Sequence, residues 1–355
     1  MIRRGCDEFE FTVVASTLAP SLRDLVEWRR VPAPRRTLRL RWASFFVGGS
    51  LRLLGHGFDL VHVSGGMPLV ASRADIVWVH VCHAALQEAF DRAGVRRTSS
   101  DRLARSLSVG LERWTFGRSR LLVAPAEDIM DDLARRFPDV PAVVVPLAID
   151  TERFRPDPAA RAALRSSLGV GEDEVVAVFV GRDWRLKGLD VALEGVARAA
   201  SLGSVPLRLW VLGDRPGAND AVAVRETADR LGLAGRVLLA GDRPDVERYY
   251  QGADVFVLPT LFEVMCRAAH EAAACELPIV ATPVHGVRSL TGDGAAGIIV
   301  ERDAESVADA LLALARDPDR RASLGRTGRS RVLHLTADRA AERMLALYRQ
   351  VLDAR

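Results

Sequence analysis

Four charged side chains in the second half of the chain have the types and spacing to hold a phosphate-bearing ligand: Arg182, Lys187, Glu263 and Glu271. Arg182 and Lys187 stand in GRDWRLKG, a glycine-bounded loop that follows the apolar run Val175–Val180. A guanidinium fork and an ammonium point charge both complement phosphate oxygens. Two cations in a loop are often no more than a solvated basic turn. Lys187, however, is the single lysine among 49 basic residues, so arginine serves at every other basic position. Glu263 and Glu271 lie eight residues apart in LFEVMCRAAHEAAACELP. Glu263 falls in a loop after ADVFVLPT, and Glu271 in the second turn of a helix that starts near Cys266. A helix N-terminus offers free N–H groups and positive partial charge, so Met265, Cys266 and Arg267 are expected to line a diphosphate beside Arg182 and Lys187. A capping acid followed by a helix-surface acid is the plainer alternative for the two glutamates.

These residues need a scaffold that sets loops at strand ends. Short β-rich runs alternate with helical patterns along the whole chain, which argues for βαβ units and parallel sheets. Strands are expected at Phe9–Ala15, Leu60–Val63, Ile76–His80, Leu121–Ala124 and Ala142–Pro146, forming one sheet. A second sheet is expected from Val175–Val180, Leu207–Leu212, Val237–Ala240, Val255–Leu258, Ile279–Ala281 and Gly297–Val300. In the second sheet Gly181 and Gly188 relieve crowding where the strand ending at Val180 turns into a helix. Such a turn lies at the carboxyl end of a parallel strand, where α/β sheets bind ligands. The segment from Pro146 to Glu174 carries three prolines and reads as a linker plus one helix.

The chain has 355 residues, more than one core usually supports, and two domains are expected: 1–150 and 151–335. A final helix, 336–355, has apolar residues at helical spacing that could pack back on the first domain. Hydrophobic residues at 49% and charged residues at 27% fit a globular protein with a sizeable core rather than a disordered one. The cysteines Cys6, Cys82, Cys266 and Cys275 show neither a CxxC pair nor metal-ligand spacing. No secretory leader or membrane-spanning run is legible, so a cytoplasmic location is expected, with the inner membrane face as an alternative. A net charge of +3 does not argue for nucleic acid.

The same residues resemble the GT-B glycosyltransferases of family 4, retaining enzymes that use a sugar nucleotide. Gly181, Arg182, Lys187 and Gly188 match the family's G-R-x4-K-G, and Glu263 and Glu271 its E-x7-E. ADVFVLPT, ELPIVAT and IDTERFRP match three further motifs in the family's order. The resemblance covers roughly residues 7–352 and implies two Rossmann-like domains facing across a cleft, with a UDP- or GDP-sugar as donor substrate and no separate cofactor. It implies that Arg182 and Lys187 bind the donor diphosphate, that Glu271 binds the ribose, and that Glu263 contacts the transferred sugar. It implies a catalytic histidine after an early strand, for which His80 in DIVWVHVCHAA fits better than His83. A structural histidine at a strand end is the alternative. No divalent metal is expected, since the two cations take its place. The acceptor would be a glycan, lipid-linked or small-molecule hydroxyl.

Three departures stand out. Val264, Met265, Cys266 and Arg267 follow Glu263 where relatives often have G-F-G-L, and HGVRS, His285 to Ser289, replaces G-G-[IV]-x-E. The chain also starts at what reads as the second strand, so the first domain is expected to lack its first β-α unit. A sugar-nucleotide epimerase and a non-catalytic sugar-nucleotide-binding homologue therefore stay open beside transfer.

On the acceptor side, residues 28–46 mix Arg29, Arg30, Arg35, Arg36, Arg39 and Arg41 with Trp28, Trp42, Phe45 and Phe46. That mixture suits an anionic membrane surface or lipid-linked acceptor. An exposed connector leading into a core helix is the alternative.

Overall fold

The computed structural model describes residues 1–32, 38–53, 57–65, 74–95, 98–203, 206–213, 218–292 and 294–355. The side chains of 38–43, 99–100 and 218–220 lie outside that description. Backbone contacts divide the chain into two compact units, one of Met1–Leu147 with Ala337–Arg355 and the other of Ala148–Thr336.

In the first unit the strands are β1 (Thr12–Ala15), β2 (Glu27–Arg30), β3 (His62–Ser64), β4 (Ile76–Trp78), β5 (Leu121–Ala124) and β6 (Ala142–Val144). Strands β3 to β6 form a parallel sheet in simple order. β1 pairs only with β2, in a separate two-stranded parallel sheet. The expectation of one sheet here is thus corrected to two. β2 escapes a hydrophobic pattern because its sequence is EWRR, and its charge is met locally: Arg29 Nε donates to Glu27 Oε1 at 2.8 Å. The helix Ala337–Asp353 belongs to this unit, where Met344, Leu345, Leu347, Tyr348 and Val351 share a core with Ile76, Leu121 and Val123.

The beginning of the basic–aromatic segment is anchored in protein. Trp28 Nε1 donates to the Ala15 carbonyl at 3.1 Å, and the Arg29 guanidinium lies 5.4 Å over the Phe58 ring. The helix Leu38–Leu53 follows and carries partly buried Phe45 and Phe46, while Val47 and Leu51 are exposed. Arg35 and Arg36 lie outside the described residues, as do the side chains of Arg39, Arg41 and Trp42.

The second unit holds β7 (Val175–Val180), β8 (Leu207–Leu212), β9 (Val237–Gly241), β10 (Val255–Leu258), β11 (Ile279–Ala281) and β12 (Gly297–Ile299). All pair in parallel, in the order β12-β11-β10-β7-β8-β9. Apart from Arg208 on β8, which pairs with Glu174, the strands read as apolar runs because helices cover both faces. Val176, Ala177, Val178, Phe179, Val255, Phe256 and Val257 are all fully buried. Each large side chain so buried stabilises the unit by about 1.5–3 kcal/mol before entropy is counted. The linker reading is met by the helix Pro158–Ser167, which Asp157 caps by accepting from the Ala160 N–H with proline at its start.

Candidate active site

The sheet order places its switch point between β7 and β10. The chain leaves β7 toward β8 on one side and enters β10 from the other half, so the loops after these neighbours part and leave a crevice at their carboxyl ends. Arg182 and Lys187 follow β7, and Glu263 follows β10. Residues 76 positions apart in sequence therefore meet.

The β7 loop is built tightly. Asp183 takes a left-handed backbone, φ 54°, and its carboxylate accepts from the Leu186 N–H at 3.2 Å, capping the short helix Trp184–Lys187. Gly188 ends that helix at φ 75°, where an added Cβ would lie 2.2 Å from the Pro259 carbonyl oxygen. Only glycine permits both this conformation and this approach to the β10 loop. Gly181 leaves room for the Lys187 stem, since a Cβ there would come 3.0 Å from Lys187 Cγ. The β10 loop is stitched to its neighbour by the Leu261 N–H, which donates to the Leu186 carbonyl at 2.8 Å. It is stitched from below by Thr282 Oγ1, which donates to the Thr260 carbonyl at 2.5 Å.

Lys187 Nζ donates to Glu263 Oε1, forming an ion pair in which both side chains are largely buried. Burial pushes the Glu263 carboxyl above its ordinary range, against the pull of the Lys187 ammonium and the Thr260 hydroxyl. Arg182 is an open cation of the loop: its side chain is 76% exposed, with Asp242 Oδ2 at 3.5 Å. The helix Arg267–Ala274 begins beside Glu263 with no side-chain cap on its first N–H groups and no acidic residue in its first turn. Val264, Met265 and Cys266 are buried at its head, and burial raises the Cys266 thiol well above its usual range. Glu271, one turn in, accepts from Arg267 Nε at 2.9 Å and from the Tyr250 hydroxyl at 3.4 Å. Burial raises its carboxyl too, with Arg267 the main opposing influence. Phe262 packs edge-on to His285, their rings 6.4 Å apart. The uncapped helix N-terminus can receive an anion, with Lys187 held at Glu263 just before it and Arg267 on its first turn.

His80 belongs to the first unit, two residues past β4. Its ring stacks on Trp78 at 6.1 Å, its Nε2 lies 2.6 Å from Ser64 Oγ, and partial burial holds it below the ordinary imidazole range. His83 opens the helix His83–Arg92, whose first N–H groups, on His83 and Ala84, donate to buried Glu112. Cys82 Sγ points to the same carboxylate at 3.8 Å. Asp242, Tyr250 and Glu112 carry no motif in the sequence. Each becomes visible only through a partner far along the chain. Among the described residues no group of three or more His, Cys, Asp or Glu side chains is arranged to hold a metal ion. No described helix is long and apolar enough to cross a membrane.

The sequence models of known families match both halves: glycosyl transferases group 1 over residues 174–317 and Glycosyltransferase Family 4 over residues 2–153. The D-inositol 3-phosphate glycosyltransferase of Xylanimonas cellulosilytica is 32% identical over all of this chain and 90% of its own length. The chain belongs to the family 4 glycosyltransferases. The Saccharomonospora viridis D-inositol 3-phosphate glycosyltransferase is 31% identical, over 84% of this chain and 71% of its own. Solved structures give the GT-B fold for this glycosyltransferase. Sucrose-phosphate synthase from Thermosynechococcus elongatus aligns with a TM-score of 0.78 at 20% identity, over 99% of this chain and 91% of its own. WaaG, a glycosyltransferase involved in lipopolysaccharide biosynthesis, aligns with a TM-score of 0.78 at 20% identity, over 96% of this chain and 92% of its own. Anabaena HepE in complex with UDP-glucose aligns at 0.67 and 16% identity, over 96% and 91%.

Proposed function

We propose that this glycosyltransferase moves a sugar, with retention at the anomeric carbon, from a UDP-sugar to a hydroxyl of a small phosphorylated polyol. The observation that carries the donor half is the pairing of the chain's one lysine with Glu263 at the mouth of an uncapped helix. A largely buried ion pair is costly to maintain, because desolvation offsets most of the attraction. A diphosphate at the helix N-terminus gives Lys187 a second, better partner and frees Glu263 to accept from a sugar hydroxyl. Arg182, open on the same loop, meets the other phosphate. Glu271 takes the ribose hydroxyls. The UDP-glucose complex of HepE supports uridine as the base, and the names of the inositol phosphate relatives support the acceptor class.

In the reaction the bond from the anomeric carbon to the diphosphate oxygen breaks as the acceptor oxygen attacks from the same face. The acceptor proton passes to the departing diphosphate. Arg182 and Lys187 stabilise the charge that develops there, the largest contribution expected of the site. No metal is required in this scheme, and His80 is assigned to the sugar. Incubating the chain with UDP-sugars and inositol phosphates, and reading the product's anomeric coupling by proton NMR, tests this. An axial product from an α-linked donor, with equimolar UDP, is expected. An inverted linkage would refute retention, and UDP release without a glycoside would refute transfer.

A further inference from the structure

Arg267 occupies a position that its helix does not favour. It is the first residue of Arg267–Ala274, and a cation there opposes the positive end of the helix dipole. The helices Ala304–Arg316 and Pro318–Val332 of the same unit start on aspartates, Asp303 and Asp317, whose side chains accept from the first-turn N–H groups. This helix has neither such a cap nor an acidic first turn.

The Arg267 guanidinium is spent on Glu271. Its Nε donates to Glu271 Oε1 at 2.9 Å, and the arginine side chain is 63% exposed against 13% for the glutamate. The other carboxylate oxygen, Oε2, accepts from the Tyr250 hydroxyl, and Tyr250 is completely buried. Glu271 is thus fixed from within by a residue that cannot move and covered by one that can.

We propose that Arg267 makes the donor site discriminate by phosphate. It covers Glu271 until a nucleotide phosphate reaches the helix N-terminus, then turns to that phosphate and releases the carboxylate to the ribose hydroxyls. The inference rests on the donor reading above. The relative strengths allow the exchange: a pair one helical turn apart whose guanidinium stays largely in solvent shifts an equilibrium only a few-fold. A charge-assisted contact with phosphate shifts it by ~10-fold or more. A phosphate at the helix end also relieves the repulsion between the guanidinium and the dipole. A nucleoside without phosphate brings the same ribose hydroxyls to Glu271 but must break the Arg267–Glu271 pair and leave the guanidinium without a new partner.

The test compares UDP, titrated by calorimetry, with uridine, titrated by ligand-observed NMR, on the full chain and on Arg267→Leu. The variant is expected to lose about 5- to 20-fold in UDP affinity and to gain roughly 2-fold for uridine. Arg267→Gln, also uncharged, should move both affinities in the same directions while the melting temperature stays at the wild-type value. Parallel weakening of both ligands would mean that Arg267 only supports the helix, and unchanged affinities would mean that it meets no phosphate. Either result overturns the proposal. A wild-type chain that fails to bind UDP would overturn the donor reading and this inference together, whereas wild-type binding with unchanged variants overturns this inference alone.

Discussion

Acids and bases in this chain are tuned mostly by burial, and one of them gives the fold a pH dependence. His62, on β3, is held down to about 4, chiefly by burial and then by the nearby His80. Its Nδ1 lies 2.6 Å from the Tyr348 hydroxyl, which itself donates to Met1 Sδ at 3.2 Å, so His62 is the donor to the hydroxyl oxygen. Its Nε2 is buried and meets no hydrogen-bond partner among the described residues, so a second proton there would be an unpartnered buried charge, and the folded state favours the neutral imidazole. An unfolded histidine titrates near 6.5, so below about that pH the unfolded chain binds a proton that the folded chain refuses. The His62 contribution to stability should be full above about pH 6.5, fall as the pH drops toward 4, and level off below, by on the order of 3 kcal/mol in all. His62→Asn keeps a donor near the Nδ1 position and removes the titration. Thermal melts between pH 4 and 8 should show a flatter profile for the variant, and an equally steep one would rule out His62 as the source. His62 is not legible in the sequence, because a histidine at a strand start has no pattern until its helix partner is known.

Element-level features explain which parts were legible. The runs Leu121–Ala124, Val175–Val180, Leu207–Leu212, Val255–Leu258 and Ile279–Ala281 were read from sequence at the bounds the structure gives them. Apart from Arg208, whose Nε donates to Glu174, they are apolar because both faces are covered, and an apolar run of that length leaves little choice. β2 was not legible, since EWRR exposes its ends and neutralises Arg29 through Glu27. The meeting of Lys187 with Glu263 was not legible either. It depends on β7 and β10 being neighbours, which follows from strand order and not from either motif alone. The sequence shows Gly188 only as a relief of crowding, and the structure names the obstacle as the Pro259 carbonyl. Gly188→Ala should cost about 2 kcal/mol or more, from left-handed strain and the clash together. Urea unfolding checks this, and a stability within about 0.5 kcal/mol of wild type would show that the two loops are not locked together at this point.

At the scale of the molecule, the chain is two α/β units, each built on parallel strands. Arg182, Lys187, Glu263, Arg267 and Glu271 all belong to the second unit, and His80 to the first. Family membership rests on both halves, since each matches its own family model. The donor assignment rests on the second unit alone and can be tested without knowing the acceptor. Titrating UDP by calorimetry into the full chain and into Lys187→Ala is the most direct measurement. Loss of one charge-assisted phosphate contact, about 1.5–3 kcal/mol, should weaken binding roughly 10- to 100-fold. Equal affinity in the two proteins would contradict the placement of the diphosphate at Lys187.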